Sequence, residues 1–133
     1  MTTSGVGLGA RYDRPLWGAD ARLTTRDVSW NYSGNVPFAP GVELEANGRL
    51  IPRKLWLVRG TARYSGKHFT ARDSEASEKG FLTLDAGAER EFPWYHLRAM
   101  LEIRNILNSR GAWWTGEYRI PGIGLYAGVT ARY

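Results

Sequence analysis

Cysteine is absent from this chain of 133 residues, which excludes a disulfide framework, a zinc ribbon and a thiol nucleophile. Histidine is scarce: His68 and His96 are too few and too far apart for a His-based metal site. Lysine is rare too, at three residues against fifteen arginines, and the 18 basic residues face 13 acids for a formal charge of +5. No apolar run reaches 18 residues, so no transmembrane helix is possible. The start, Met1-Thr2-Thr3-Ser4-Gly5, has neither a basic region nor an apolar one, so no secretory signal is expected in it. What the chain has in quantity is six Trp, seven Tyr and 16 Gly. Aromatics at this level argue against disorder, and glycine at this level argues against a helical bundle. The length suits one domain, residues 1–133.

The organising signal is period two, the mark of half-buried strands. Val6, Leu8, Ala10 and Tyr12 alternate with Gly5, Gly7, Gly9 and Arg11. The same alternation runs over Trp17–Thr24, Val42–Leu50, Trp56–Tyr64, Leu82–Glu89, Tyr95–Arg104 and Ile123–Tyr133. Leu55 and Leu57 blur the start of the fourth segment, and Met100 interrupts the sixth. About seven strands are expected, with no competing helical period. Short turns sit at Asp13-Arg14-Pro15, Ile51-Pro52-Arg53 and Phe92-Pro93-Trp94, while longer polar loops cover about 27–40, 65–79 and 105–121. Short turns at one end and long loops at the other predict an all-β, antiparallel up-and-down sheet with two unlike ends.

Alternation alone does not say which solvent the apolar face meets, but three features favour lipid. Charges of both signs interleave at mid-strand on the polar face, as at Arg22, Glu43, Glu45, Arg59, Arg63, Asp85, Glu89, Arg98, Glu102 and Arg104. Such a pattern suits a wet, salt-bridged lumen. The apolar face is rich in Ala and Gly, which fill a packed core poorly. Aromatics gather near strand ends, at Tyr12, Trp17, Trp30, Trp56, Tyr64, Tyr95 and Tyr133, as interfacial girdles require. The expectation is a transmembrane β-barrel segment of about seven strands with no plug domain. A soluble lipocalin-like ligand-binding barrel is the competing reading.

The C-terminal third adds a family resemblance. The last strand alternates apolar residues from Ile123 through Leu125 and Val129 to an aromatic terminus, Tyr133, and is similar to the insertion signal of bacterial outer-membrane barrels. Before it come Leu101-Glu102-Ile103-Arg104-Asn105-Ile106-Leu107-Asn108, an aromatic loop, and Tyr118-Arg119-Ile120-Pro121-Gly122. That order resembles the end of TonB-dependent outer-membrane receptors, with Ile106 where Leu is usual and Ile123 where Arg usually follows Pro-Gly. Arg63-Tyr64-Ser65-Gly66, Phe69, Asp73 and Leu82–Asp85 resemble the preceding hairpins. The likeness covers roughly 55–133, and 1–54 only by strand pattern. It implies a Gram-negative outer membrane and uptake of a scarce solute of the siderophore, vitamin or glycan class. Family members have 22 strands, a plug and an energy-coupling box, so this chain reads as a C-terminal portion, incomplete on its own. The implied partners are outer-membrane lipid, the remaining barrel strands and plug from another segment or chain, and the barrel-assembly machinery. The alternative is a small self-contained outer-membrane barrel acting as a pore, adhesin or stabilising protein.

Other motifs have structural readings. Gly5, Gly7 and Gly9 lie within a strand, not before a helix, so close backbone packing is expected there and not phosphate binding. Basic residues alternate with acids and form no contiguous patch, so nucleic acid is not an expected partner. Glu43 with Glu45, and Glu89 with Glu91, have carboxylate spacing within glycosidase range, yet salt-bridge roles fit a lumenal face better. His96 with Arg98 and Glu102 is a weak general-base cluster. No catalytic residue, metal or cofactor is expected, and the chain is not read as an enzyme. The best binding chemistry is in the loop after the sixth strand, where Arg110, Trp113, Trp114 and Tyr118 offer one guanidinium and three flat apolar faces.

Overall fold

The computed structural model describes residues 2–29, 40–69, 77–111 and 119–131. The chain is all-β. Strands β1 (Thr2–Asp13), β2 (Trp17–Ser29), β3 (Val42–Leu50) and β4 (Trp56–Ser65) are followed by two short ones, β5 (His68–Phe69) and β6 (Ser77–Glu78). Then come β7 (Phe81–Phe92), a 3-10 turn at Pro93–Tyr95, β8 (Leu97–Arg104) and β9 (Gly124–Ala131). One antiparallel sheet holds the seven long strands in the order β1-β2-β3-β4-β7-β8-β9, and β5 pairs only with β6. The sheet runs up and down, as the alternation predicts, and does not close into a barrel. No helix among the described residues is long and apolar enough to cross a membrane, which leaves strand crossings untouched.

Register makes each face largely uniform. Because side chains alternate, a partner shift of one residue would move apolar groups to the charged side. The observed pairing aligns Leu8, Leu23, Leu44, Tyr64 and Leu82 in one row across five strands. Ala10, Ala21, Ala46, Ala62 and Leu84 form the next. Trp17, Leu50, Val58, Ala88, Leu101 and Ala127 form another towards the short turns. The opposite face carries rows such as Arg22, Glu45, Arg63 and Thr83.

The short turns define one end of the sheet. Arg14 N–H donates to Trp17 O at 2.8 Å in the first, and Trp56 N–H to Arg53 O at 3.0 Å in the second. Leu55 takes a φ of 72° there, so the apolar residue that blurs the sequence pattern belongs to the turn. Leu57, opposite Glu89, stands on the charged face, as does Met100.

Several sequence expectations need correcting. The segment expected from Tyr95 begins at Leu97, because Pro93 opens a 3-10 turn and His96 closes it at φ 49°, donating to Pro93 O at 3.1 Å. Tyr95 and His96 therefore leave the strand. Ile123 precedes β9, and β2 extends to Ser29 into the expected loop. The 65–79 loop contains the β5–β6 pair. Close packing holds at Gly5, where an added Cβ would meet Thr25 O at 2.7 Å, but is absent at Gly7, with nothing within 4 Å, and slight at Gly9, with only Ala21 O at 3.7 Å.

Burial is inverted relative to a water-soluble domain. Among the described residues Phe81 is the one buried hydrophobic side chain. Leu101 and Leu44, in the sheet interior, are 48% and 41% exposed, whereas the charged side chains of Glu89 and Asp85 are 14% and 20% exposed.

Candidate functional site

The charged face carries several clusters of ion pairs. Glu89 lies between Arg59, which pairs with it closely, and Arg98, whose Nη1 is 3.6 Å away. Arg98 Nη2 also donates to Glu91 Oε1 at 2.7 Å. Arg63 sits between Glu45 (3.8 Å) and Asp85 (3.3 Å), and Arg26 pairs with Glu43 at 2.8 Å. Asn47 Nδ2 donates to Asp20 at 3.0 Å and to Glu45 at 3.2 Å, and its Oδ1 accepts from Thr61 at 3.0 Å. Towards the turn end Asp13 binds both Arg11 and Arg49. Cross-strand register produces this directly: Glu45 faces Arg63 and Glu91 faces Arg98, while Glu89, Asp85 and Glu43 lie diagonal to Arg59, Arg63 and Arg26, still within reach of a long side chain. Both acid pairs with glycosidase-like spacing are thus held by arginines, and the arrangement suits a hydrated wall. Among the described residues no cluster of three or more His, Asp or Glu is arranged to hold a metal. His96, in its turn, is not part of the β8 face that presents Arg98 and Glu102.

The other end of the sheet carries the long loops and its densest packing. Asn105 ends β8 at φ 49° and is buried at 4% exposure. Asparagine enters the left-handed region more readily than other non-glycine residues. Its Nδ2 donates to Ser109 O at 3.1 Å and Pro121 O at 2.7 Å, and its Oδ1 accepts from Ser109 N–H at 2.9 Å. Its own N–H donates to Asp85 Oδ1 at 2.8 Å. One side chain therefore ties the loop after β8, and the approach to β9, to the charged end of β7. Asn108, also left-handed at φ 51°, donates its N–H to Asn105 O at 2.8 Å. Ser109 Oγ donates to Leu82 O, and Ile106 N–H to Leu84 O at 2.8 Å. Gly111 is required because a Cβ there would overlap the Phe81 ring.

Arg110 is exposed beside this latch. With Lys79, Ser77, Ser109 and Phe81 it lines an open depression of about 570 Å³ at the loop end. Two cations and an aromatic edge suit an anionic or polar solute. Trp113, Trp114 and Tyr118, the other residues of the expected binding loop, lie outside the described residues. So does Tyr133 of the expected insertion signal. Leu125 and Val129 are placed on the apolar face of β9, opposite Ile103 and Ala99, at 68% and 71% exposure. The binding-loop reading, a loop from Ser109 to Tyr118, missed Asn105 and Asp85, although Asn105 and Asn108 were visible as a polar pair just past a strand end.

Aromatics and arginines cluster at the short-turn end on the apolar side. Tyr12 and Trp17 rings lie 4.8 Å apart with Arg14 over Tyr12 at 5.5 Å. Arg90 lies over Trp56 at 5.1 Å and Phe92 at 4.8 Å. Trp94, in the 3-10 turn, is 92% exposed. An amphipathic ring with a cation beside it is chemistry suited to a lipid headgroup level.

The chain matches no protein-family model, no curated protein and no solved structure.

Proposed function

We propose that this sheet is part of the wall of an outer-membrane β-barrel in a Gram-negative bacterium, and that the barrel is a receptor of the TonB-dependent type. The observation that carries the membrane reading is the inverted burial. A continuous apolar face stands exposed across all seven strands while the charged face is networked. About fifteen large apolar side chains on that face are each roughly half exposed, and removing them from water is worth on the order of 10–20 kcal/mol. A typical domain has only about 5–15 kcal/mol of net stability, so leaving this face wet is the costlier outcome. The dimension also fits. Trp56 to Tyr64, both outward, spans about 26 Å along β4 at ~3.3 Å per residue, or about 20 Å at a ~40° tilt, close to the ~25 Å apolar band of such barrels.

The receptor class rests on the likeness of residues 101–122 and the last strand to the C-terminal end of that family, together with the cationic depression at the loop end. In this reading the charged face is lumenal, the loop end is extracellular, and the solute taken up is a scarce chelate, vitamin or glycan. Arg110 and the loop after it provide first contact, and no chemistry is done on the solute. Deleting the segment in its host is expected to impair growth on one of a limiting ferric chelate, corrinoid or oligosaccharide. Normal growth on all three overturns the uptake assignment. The membrane assignment is tested separately, by whether the chain stays monodisperse without detergent.

A further inference from the structure

We infer that the apolar face, at its short-turn end, binds the phosphate of an anionic phospholipid, and that Arg90 is the residue that grips it. The inference rests on the membrane-wall reading above. Among the described residues of the seven long strands, every Arg except Arg90 belongs to the charged face. Arg90 stands on the apolar face, opposite Trp56 on β4 and Ala99 on β8. Its guanidinium lies over the Trp56 ring, 5.1 Å from the centroid, and over the Phe92 ring at 4.8 Å. These rings orient the cation from two sides, while Ala88 and Ala99, its other neighbours on this face, are too small to cover it. Among the described residues no carboxylate forms an ion pair with it. Stacking uses the faces of a guanidinium and leaves its in-plane N–H groups for an acceptor. Their fork matches two oxygens of a phosphate.

Depth and charge select the ligand. Trp56 marks the turn-end edge of the apolar band along β4, so its cross-strand neighbour Arg90 stands at headgroup level and not in hydrocarbon. The surroundings add positive charge and no negative one. The three short turns, residues 14–16, 51–55 and 93–96, contain Arg14, Arg53 and Lys54 and no acid. Arg14 is held like Arg90, over the Tyr12 ring at 5.5 Å, with its Nε donating to the Tyr12 hydroxyl at 2.7 Å. Asp13, which precedes it, is on the charged face and already pairs with Arg11 and Arg49. Cations with no counter-ion from the described residues favour a lipid of net negative charge, whereas a zwitterionic headgroup brings a cation of its own. Because Arg90 opens onto the face assigned to lipid, the phosphate that reaches it is carried on a lipid headgroup.

The test places the chain in phosphatidylcholine vesicles with a trace of spin-labelled lipid, either phosphatidylglycerol or phosphatidylcholine. Electron paramagnetic resonance measures how much of each label the protein restricts. Relative association of phosphatidylglycerol is expected to exceed that of phosphatidylcholine by about fivefold, the scale of one basic residue near an anionic surface. Arg90→Gln should cut that preference at least about threefold, whereas Arg98→Gln, the same charge change on the opposite face, should leave it unaltered. Phe92→Leu keeps the charge and removes one flanking ring. It should also lower the preference, and it decides the matter if Arg90→Gln loses its strand spectrum. Equal restriction of the two lipids by the native chain overturns the inference. So does a preference that survives these variants, or one that falls equally in Arg98→Gln, which is the mark of net charge alone. Failure of the membrane reading is distinguishable: it removes this inference as well, but appears as no restricted lipid of either kind and a monodisperse chain in detergent-free buffer.

Discussion

Leu101 is apolar, mid-strand and 48% exposed, with Ala88 and Ala127 as its cross-strand neighbours. A guanidinium in that place has no partner on its face and meets the most apolar stratum of the bilayer. Leu101→Arg is expected to lower stability in lipid by about 2–4 kcal/mol, read from urea unfolding in vesicles. Arg98→Gln, on the opposite face, should cost less, because the pairs it breaks are partly solvated and such pairs are worth about 0.2–1 kcal/mol each. Asn105 differs from both, since it is buried and satisfies three backbone groups. Asn105→Ala removes those bonds and adds left-handed strain, for an expected loss of about 2–4 kcal/mol. Asn105→Gly relieves the strain alone and should recover about 1 kcal/mol of it. Equal losses for the two variants would show that the hydrogen bonds account for the whole effect.

β8 shows how an element acquires two solvents. Ala99, Leu101 and Ile103 align with Arg90, Ala88 and Ala86 on one side and with Val129, Ala127 and Leu125 on the other, while Arg98 and Glu102 align with Glu91 and Gly87 and with Thr130 and Tyr126. Single cysteines at 99 and 101 should react with a lipid-soluble maleimide and be protected from a charged one, and cysteines at 98 and 102 should do the reverse. A swapped pattern would invert the face assignment. The same strand shows where pattern reading stops. Alternation from Tyr95 to Ala99 looks unbroken, but Pro93 starts a 3-10 turn and His96 turns left-handed, so the first two residues are lost to the turn. Periodicity records which face a residue prefers, not the backbone dihedrals that decide whether a strand has begun.

Taken whole, the described residues have almost no apolar interior, so their stability has to come from outside the sheet. We expect the chain to require detergent or lipid to remain monodisperse, and to give a far-UV spectrum of strand with essentially no helix. A monomeric, cooperatively melting species in plain buffer would sink the barrel-wall reading and promote the lipocalin-like one. The ion-pair network does not alter this balance. Its members are mostly exposed on one side, and several pairs of under a kcal/mol each do not offset an apolar face worth on the order of 10–20 kcal/mol.

The fold class was legible in the residues because period-two alternation is a local property: Leu44 and Ala46 announce their face whatever strand lies beside them. The short turns were legible for the same reason, since Pro15, Pro52 and Pro93 restrict φ at their own positions. Which strands are neighbours, and in what register, is a long-range matter. Arg59 meets Glu89 across thirty residues of chain, and nothing local to either predicts that pair. The latch at Asn105 was visible only as a motif, because its role depends on Asp85, Ser109 and Pro121 arriving at one point in space. The open edges belong to this second category as well. Seven segments could be counted along the chain, but only the assembled order shows β1 and β9 unpaired and running the same way. Alternation specifies a face, whereas closure depends on backbone groups that carry no side-chain identity.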